Sequence, residues 1–146
     1  MKYTDGKNIM VYAQSADGAP VGAALETVSK AAELAKANGE EVIAVVLGKD
    51  TDTKTVITAG ASKVLVAGEE GLPAEEKAQI LVKLAEKYQP KAVYMAGTPE
   101  GKMIAPAVSA VFESGCVTDV TGITADGVYT SLSYNGNVLN DMKMGE

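Results

Sequence analysis

Short apolar runs recur along the chain, and segments with apolar residues at helical spacing lie between them. The clearest run, EVIAVVLG at 41–48, is continuous and rich in β-branched residues. Such a run is typical of a central parallel strand that is covered on both faces. On the same pattern we predict strands at 8–13, 41–48, 62–68, 92–96 and 116–120.

Helices are predicted between these strands, at 21–38, 51–60, 73–88 and 101–113. In the first, six apolar residues share one face: Ala24, Leu25, Val28, Ala31, Ala32 and Ala35. We expect Pro20 in the first turn of that helix and Gly39 at its end, where a helix-ending glycine belongs. In the third helix we expect Glu75, Glu76 and Lys77 to lie toward solvent.

The alternation of strands and helices predicts a parallel sheet with right-handed crossovers. After Val120 the pattern changes, because Asp126-Gly127 is a strong hairpin dipeptide and the segment Tyr134 to Asn137 predicts a second turn. A last strand is expected at 137–144. The predicted fold class is α/β: a three-layer, doubly wound, mostly parallel sheet with a C-terminal antiparallel hairpin section. We expect residues 1–146 to form a single domain.

The composition is that of an ordinary globular protein, with 47% hydrophobic and 22% charged residues. No apolar run approaches the roughly 18 residues that a membrane-spanning helix needs, and the N-terminal MKYTDGKN lacks a signal-peptide core. The single cysteine, Cys116, cannot form an intrachain disulfide. These features predict a cytoplasmic protein without membrane insertion.

The missing residue types restrict the chemistry. The chain has no His and no Trp, and its 13 basic residues are all Lys. It therefore lacks an imidazole base, a Ser-His or Cys-His pair and an Arg clamp for phosphate. A net charge of -6 also argues against nucleic-acid binding, which needs a positive surface. We expect no autonomous catalysis, no catalytic residues and no metal site.

One candidate ligand site is the turn at 97–102, GTPEGK, which follows a predicted strand and opens a helix. Helix N-termini present free amides and a partial positive charge, and parallel α/β sheets bind ligands at this edge. Gly97, Thr98, Gly101 and Lys102 could therefore hold a nucleotide phosphate. Alternatively the segment is only a glycine turn with an exposed lysine, because its spacing matches no phosphate-loop fingerprint and Glu100 would repel an anion.

The segment Ser15 to Gly18 follows the first predicted strand and is the other place where a nucleotide could find backbone amides. It has no second glycine before the helix, and Asp17 gives it the wrong polarity for phosphate. We interpret it as a loop.

The segment from Pro90 to Thr121 carries a further pattern. A strand ends in Gly97-Thr98-Pro99, then Gly101, Lys102, Ala105 and Pro106 follow, and TDVT stands at 118–121. In this order the pattern resembles the N-terminal domain of the electron transfer flavoprotein alpha subunit. Similarity extends over nearly the whole chain, although Lys102 stands where an Arg is usual. The resemblance implies a fold of the adenine nucleotide alpha hydrolase-like kind.

The resemblance also implies partners and cofactors. In that family the domain packs against the beta subunit, and the complex carries electrons from dehydrogenases to an acceptor. FAD lies mainly in the second domain of the alpha subunit, and the beta subunit binds AMP or a second FAD. The flavin-domain motifs are not among these 146 residues, so no residue here inherits a flavin-binding role and the chain alone is expected to carry no cofactor.

Two functions follow. The first is a scaffold that docks the electron transfer flavoprotein beta subunit, and the alternative is a stand-alone adenine-nucleotide-binding module of universal-stress-like fold. The TDVT segment allows two interpretations as well. Asp119 either contacts a partner subunit or a second domain, or it forms local hydrogen bonds that fix the change from the parallel sheet to the hairpin.

Overall fold

The chain alternates between strands and helices as its apolar pattern predicts. The computed structural model describes residues 7–112, 115–120, 122–123, 129–130 and 136–140. In chain order the elements are β1 (Ile9–Tyr12), β2 (Ser15–Ala16), β3 (Ala19–Pro20), α1 (Gly22–Ala37), β4 (Val42–Leu47), α2 (Lys54–Ala59), β5 (Lys63–Ala67), α3 (Ala74–Tyr88), β6 (Ala92–Ala96), α4 (Pro99–Phe112), β7 (Gly115–Val120), β8 (Gly122–Ile123), β9 (Tyr129–Thr130) and β10 (Gly136–Asn140).

Six of the strands form one sheet in the order β5-β4-β1-β6-β10-β7. The pairs β1–β4, β1–β6 and β4–β5 are parallel, whereas β10 runs antiparallel to both of its neighbours. A separate two-stranded antiparallel sheet joins β8 to β9. The predicted fold class is confirmed, including its antiparallel C-terminal section. The Asp126-Gly127 turn and residues 134–135 lie outside the described residues.

All residues of β1, β4 and β6 are buried. Because successive strand side chains point to opposite sides, these central strands are covered on both faces of the sheet. Ile9 and Val11 belong to a core with α1 and α2, whereas Met10 and Tyr12 belong to a core with α3 and α4. All six residues of β4 are buried, as expected for its continuous apolar run. Complete burial of each Val, Ile or Leu side chain in such a strand contributes roughly 1.5–3 kcal/mol.

The two ends of α1 differ in how well the sequence predicts them. At its C-terminus Gly39 has φ +66°, and the amides of Gly39 and Glu40 donate to the carbonyls of Lys36 and Ala35. This is the Schellman arrangement, and it confirms the role predicted for Gly39. At the N-terminus the prediction for Pro20 is wrong. Pro20 lies in β3, and the helix begins at Gly22.

The segment after β1 is a hairpin of β2 and β3, not the simple loop that we predicted. Its turn residues Asp17 and Gly18 both have positive φ, +53° and +80°. Asp-Gly is favoured where both central residues of a two-residue turn need positive φ. The sequence Asp-Gly, from which we predicted a hairpin at Asp126-Gly127, thus also indicated the hairpin turn at Asp17-Gly18.

Candidate functional site

Four loops meet at the carboxyl edge of the parallel strands, after β1, β4, β5 and β6. The strand order reverses direction at β1, since β4 and β5 lie on one side of it and β6 on the other. In open α/β sheets, ligands bind outside the carboxyl ends of the strands at such a switch point. This edge is therefore the candidate site of the chain.

Side chains bridge the switch point between β1 and β6. The Thr98 hydroxyl donates to Gln14 Oε1 at 2.5 Å and accepts from the Gly101 amide at 3.1 Å. Thr98 is thus the N-cap of α4, and its side chain satisfies one of the amides that a helix start leaves open. The hydrogen bond to Gln14 ties the loop after β6 to the loop after β1.

A buried polar cluster lies next to this bridge. The Tyr12 hydroxyl donates to Glu100 Oε2 at 2.6 Å, and Lys77 Nζ donates to Glu100 Oε1 at 2.5 Å. The Lys77 side chain is only 4% exposed, whereas that of Glu100 is 25% exposed. Burial, followed by the hydrogen bond to Glu100, raises the pKa of the Tyr12 phenol well above its usual range. The phenol therefore stays protonated and acts as a donor.

The position of Lys77 corrects a prediction. Glu75 and Glu76 are exposed as expected, but Lys77 is buried and joins α3 to α4 through Glu100. A signal was present in the sequence, because Lys77 lies four residues before the fully buried Leu81 and so shares its helix face. A charge at that position has to be paired, since an unpaired buried charge costs several kcal/mol.

Another interaction holds the β2–β3 hairpin against the loop after β5. The Glu70 carboxylate accepts hydrogen bonds from the amides of Asp17 at 2.8 Å and Gly18 at 3.0 Å. On the other side of the turn, the Gly18 carbonyl accepts from the Asp52 amide at 3.0 Å. A cavity of about 470 Å³ opens between these loops.

The residues predicted to hold a phosphate lie together at the start of α4. Gly101 is buried, Lys102 is exposed, and Gly97 and Thr98 are partly buried. Their role in phosphate binding stays a prediction. The sequence pattern did not identify Tyr12, Gln14, Glu70 or Lys77, which all contribute to the polar network of this edge.

The TDVT segment and the expectations about metal ions and membrane spans concern parts of the chain other than this site. Thr118, Asp119 and Val120 lie in β7, and Thr121 falls outside the described residues. In the part of the chain that the structure describes, no group of three His, Cys, Asp or Glu side chains could hold a metal ion. Within that same part, no helix combines the length and the apolar character that crossing a bilayer requires.

The strand order and the helices packed on both sides of the central strands define a doubly wound α/β fold, and polar groups of the chain are hydrogen-bonded to one another along its carboxyl edge. A family model described as the electron transfer flavoprotein domain matches residues 9–144. The chain therefore belongs to the electron transfer flavoprotein family. The resemblance to the N-terminal domain of the alpha subunit is confirmed by relatives of that name.

Among these relatives, the electron transfer flavoprotein subunit alpha of Clostridium acetobutylicum is 30% identical over 149 aligned residues, which cover 95% of this chain and 44% of the relative. The same subunit of Thermoanaerobacterium thermosaccharolyticum is 28% identical and covers 95% and 45%. Subunit LctC of the lactate dehydrogenase (NAD(+),ferredoxin) of Acetobacterium woodii is 28% identical and covers 91% and 34%. The chain thus spans less than half the length of these relatives.

A comparison with solved structures finds a universal stress protein in complex with cAMP. It covers 73% of this chain and 92% of its own, at a TM-score of 0.44 and 16% identity. A likeness at this level carries no argument about ligands, and the fold assignment depends on the strand order above.

Proposed function

We propose that this chain is an alpha-subunit domain that docks the electron transfer flavoprotein beta subunit and so takes part in electron transfer from dehydrogenases. The observation that carries the proposal is the family match over residues 9–144. In the intact complex FAD would lie in the rest of the alpha subunit, and the beta subunit would hold AMP or a second FAD. The proposed location is the cytoplasm.

The geometry of the carboxyl edge supports a scaffold rather than a catalyst. The amides of Asp17, Gly18 and Gly101 are hydrogen-bonded to side chains of the same chain. The phenol of Tyr12 is held protonated, and Lys77 is paired with Glu100. A general base or nucleophile needs a free, accessible group within reach of a substrate, and these groups serve the fold instead.

Co-expression with the electron transfer flavoprotein beta subunit of the same organism tests the docking proposal. Native mass spectrometry should show the 15.0 kDa chain in a one-to-one complex with the beta subunit. The beta subunit expressed alone is the control for its folding. Two folded proteins that migrate separately at micromolar concentration would contradict the proposal.

The alternative function, a stand-alone adenine-nucleotide-binding module, has one observation in its favour. The turn at 97–102 opens α4 at the carboxyl edge, where amides and the helix dipole favour an anion. Against it, Thr98 Oγ1 already accepts from the Gly101 amide, and Glu100 places a negative charge within the turn. The docking function is therefore the one that we propose.

Lys102→Ala tests the nucleotide role of this turn. Because Lys102 is exposed, we expect the free energy of unfolding to change by no more than about 0.5 kcal/mol. Titration calorimetry with AMP and ATP should show the same affinity, or the same absence of binding, before and after the substitution. A loss of at least about tenfold in affinity, or 1.4 kcal/mol, would instead favour the module and its lysine contact.

A further inference from the structure

The tip of the β2–β3 hairpin presents two adjacent backbone amides to one carboxylate. Asp17 and Gly18 both have positive φ, so their N–H groups point the same way and donate to Glu70 Oε1 and Oε2. Successive amides in a turn form a concavity that binds oxyanions. The geometry is that of an anion site in which the anion is a side chain of the same protein.

The surroundings of this carboxylate are shaped like a ligand pocket. The cavity of about 470 Å³ beside it lies at the carboxyl ends of β4 and β5, where parallel sheets hold ligands. Its wall includes three glycines with positive φ, Gly18, Gly48 and Gly68, together with Thr51 and Lys49. Small residues at such an edge let a ligand approach the backbone closely.

Gly48 shows how closely the loop that carries Glu70 is fitted into this edge. A Cβ atom at Gly48 would lie 3.0 Å from Thr51 Oγ1 and 3.7 Å from both the amide nitrogen and the Cβ of Glu70. The loop after β5 thus packs closely against the loop after β4, because Gly48 has no side chain at the point of contact. This close packing brings the Glu70 carboxylate within hydrogen-bonding distance of the hairpin. The position of the Glu70 carboxylate therefore depends on the backbone of the β2–β3 hairpin and of the loops after β4 and β5.

The charges of the cavity oppose a second anion. Its wall carries the carboxylates of Asp50, Glu69 and Glu70 and the single ammonium group of Lys49. A phosphate would have to displace Glu70 from the two amides and would meet two further negative charges. With Glu70 removed, the amides of Asp17 and Gly18 would face the cavity beside Lys49 and Thr51.

We propose that the Asp17–Gly18 amide pair is an oxyanion site that Glu70 occupies, so that this chain closes its own pocket to phosphate groups. The ligand class that the open site would take is a phosphate monoester or inorganic phosphate. Glu70 acts as an internal plug, and its replacement by an uncharged side chain opens the site. This inference stands apart from the docking of a beta subunit, which uses no property of the pocket.

The test is a titration of ¹⁵N-labelled protein with inorganic phosphate at constant ionic strength, read from the amide resonances of residues 17 and 18. We expect no saturable shift in the wild-type chain and a saturable shift in Glu70→Ala. The affinity of Glu70→Ala should exceed the upper limit that the wild-type titration sets by about ten- to a hundredfold, the factor that new hydrogen bonds to a charged ligand supply. Glu69→Ala is the matched control, because it removes a charge from the same cavity without freeing the two amides.

Two results would overturn the proposal. If Glu70→Ala is folded and its two amides do not respond to phosphate, Glu70 only ties the hairpin to its neighbour. If Glu69→Ala responds as strongly as Glu70→Ala, the gain reflects net charge and not the amide pair. Should Glu70→Ala fail to fold, Glu70→Gln decides the matter. It keeps one acceptor oxygen for the hairpin but loses the charge, so phosphate should compete for the backbone amides of residues 17 and 18 and shift their resonances. If these resonances do not shift in Glu70→Gln, the proposal is again refuted.

Discussion

At the scale of single residues, the structure depends on buried polar side chains that form hydrogen bonds and ion pairs with one another at the carboxyl edge of the sheet. Lys77, Glu100 and Tyr12 form one such cluster, which joins α3, α4 and β1. Burying charges is unfavourable by itself, so the cluster is stable only while every member has its partner. Removing one member should therefore cost more than removing an exposed residue of the same type.

Glu100→Ala should lower the free energy of unfolding by roughly 3 kcal/mol, because it leaves the Lys77 ammonium buried without a counter-charge. Glu76→Ala is the matched control, since Glu76 is also an acid in the first helical turn but is exposed. It should change stability by no more than about 0.5 kcal/mol. Urea unfolding of both variants measures the difference. Equal midpoints would mean that Lys77 does not depend on Glu100.

The raised pKa of the Tyr12 phenol predicts how the stability of the protein changes at alkaline pH. The unfolded chain ionises this phenol near its usual pKa of 10.0, whereas the folded chain keeps the proton to higher pH. Above pH 10 the folded state therefore binds more protons, and its stability falls as pH rises. Below that pH the contribution is fully present.

Tyr12→Phe should cost about 1 kcal/mol at neutral pH, through the lost hydrogen bond, and should weaken the decline above pH 10. Urea unfolding between pH 8 and pH 11, with tyrosinate absorbance recorded in parallel, measures both effects. Parallel stability curves for the two proteins would show that Tyr12 ionises alike in the folded and unfolded states.

At the scale of elements, glycines decide how closely neighbouring segments pack. Gly60 follows α2 with φ +132°, and a Cβ atom there would lie 2.5 Å from the Cβ of Ala32 on α1. No side chain fits at that distance without moving one of the two helices. Gly22, the first residue of α1, has no atom within 4 Å of such a Cβ and an ordinary φ.

Gly60→Ala should therefore destabilise the protein by about 1–3 kcal/mol, from overpacking together with the unfavourable φ. Gly22→Ala, the matched substitution, should be neutral or stabilising by at most about 1 kcal/mol, because Ala is the better helix former. Thermal unfolding of the two variants beside the wild type separates these effects. A Gly60→Ala protein as stable as Gly22→Ala would show that α1 and α2 can separate freely.

At the scale of the whole molecule, the sheet is completed by its last described strand. β10 lies between β6 and β7, and its five residues pair with β6 in the register Gly136 with Ala96 to Asn140 with Ala92. Every residue of β6 is buried. Without β10, one edge of this apolar strand would have unpaired amides and carbonyls, which favour aggregation.

A chain shortened to end at Val120 should accordingly aggregate or lose its cooperative unfolding, because the β6 edge is left open. Removing only residues 141–146 keeps β10 and is the control. Size-exclusion chromatography with light scattering, together with urea unfolding, measures the outcome. A monomeric short chain with an unchanged midpoint would show that β10 is dispensable.

The α/β class can be predicted from the sequence, because the period of the apolar residues is a local property. The runs at 41–48 and 92–96 and the helix end at Gly39 are found within a residue or two of their predicted places. The resemblance around residues 90–121 also identified the family, since it needs only the order of residues along the chain.

The pairing of polar groups, in contrast, is visible only in the folded chain. Glu70 is about fifty residues from the hairpin amides that it binds, and Glu100 is 88 residues from Tyr12. Local periodicity contains no information about such pairs, so Lys77 was predicted to be exposed although its place beside Leu81 faces the core. The position of β10 between β6 and β7 was equally hidden, because strand order depends on non-local hydrogen bonds that form only when the chain is folded.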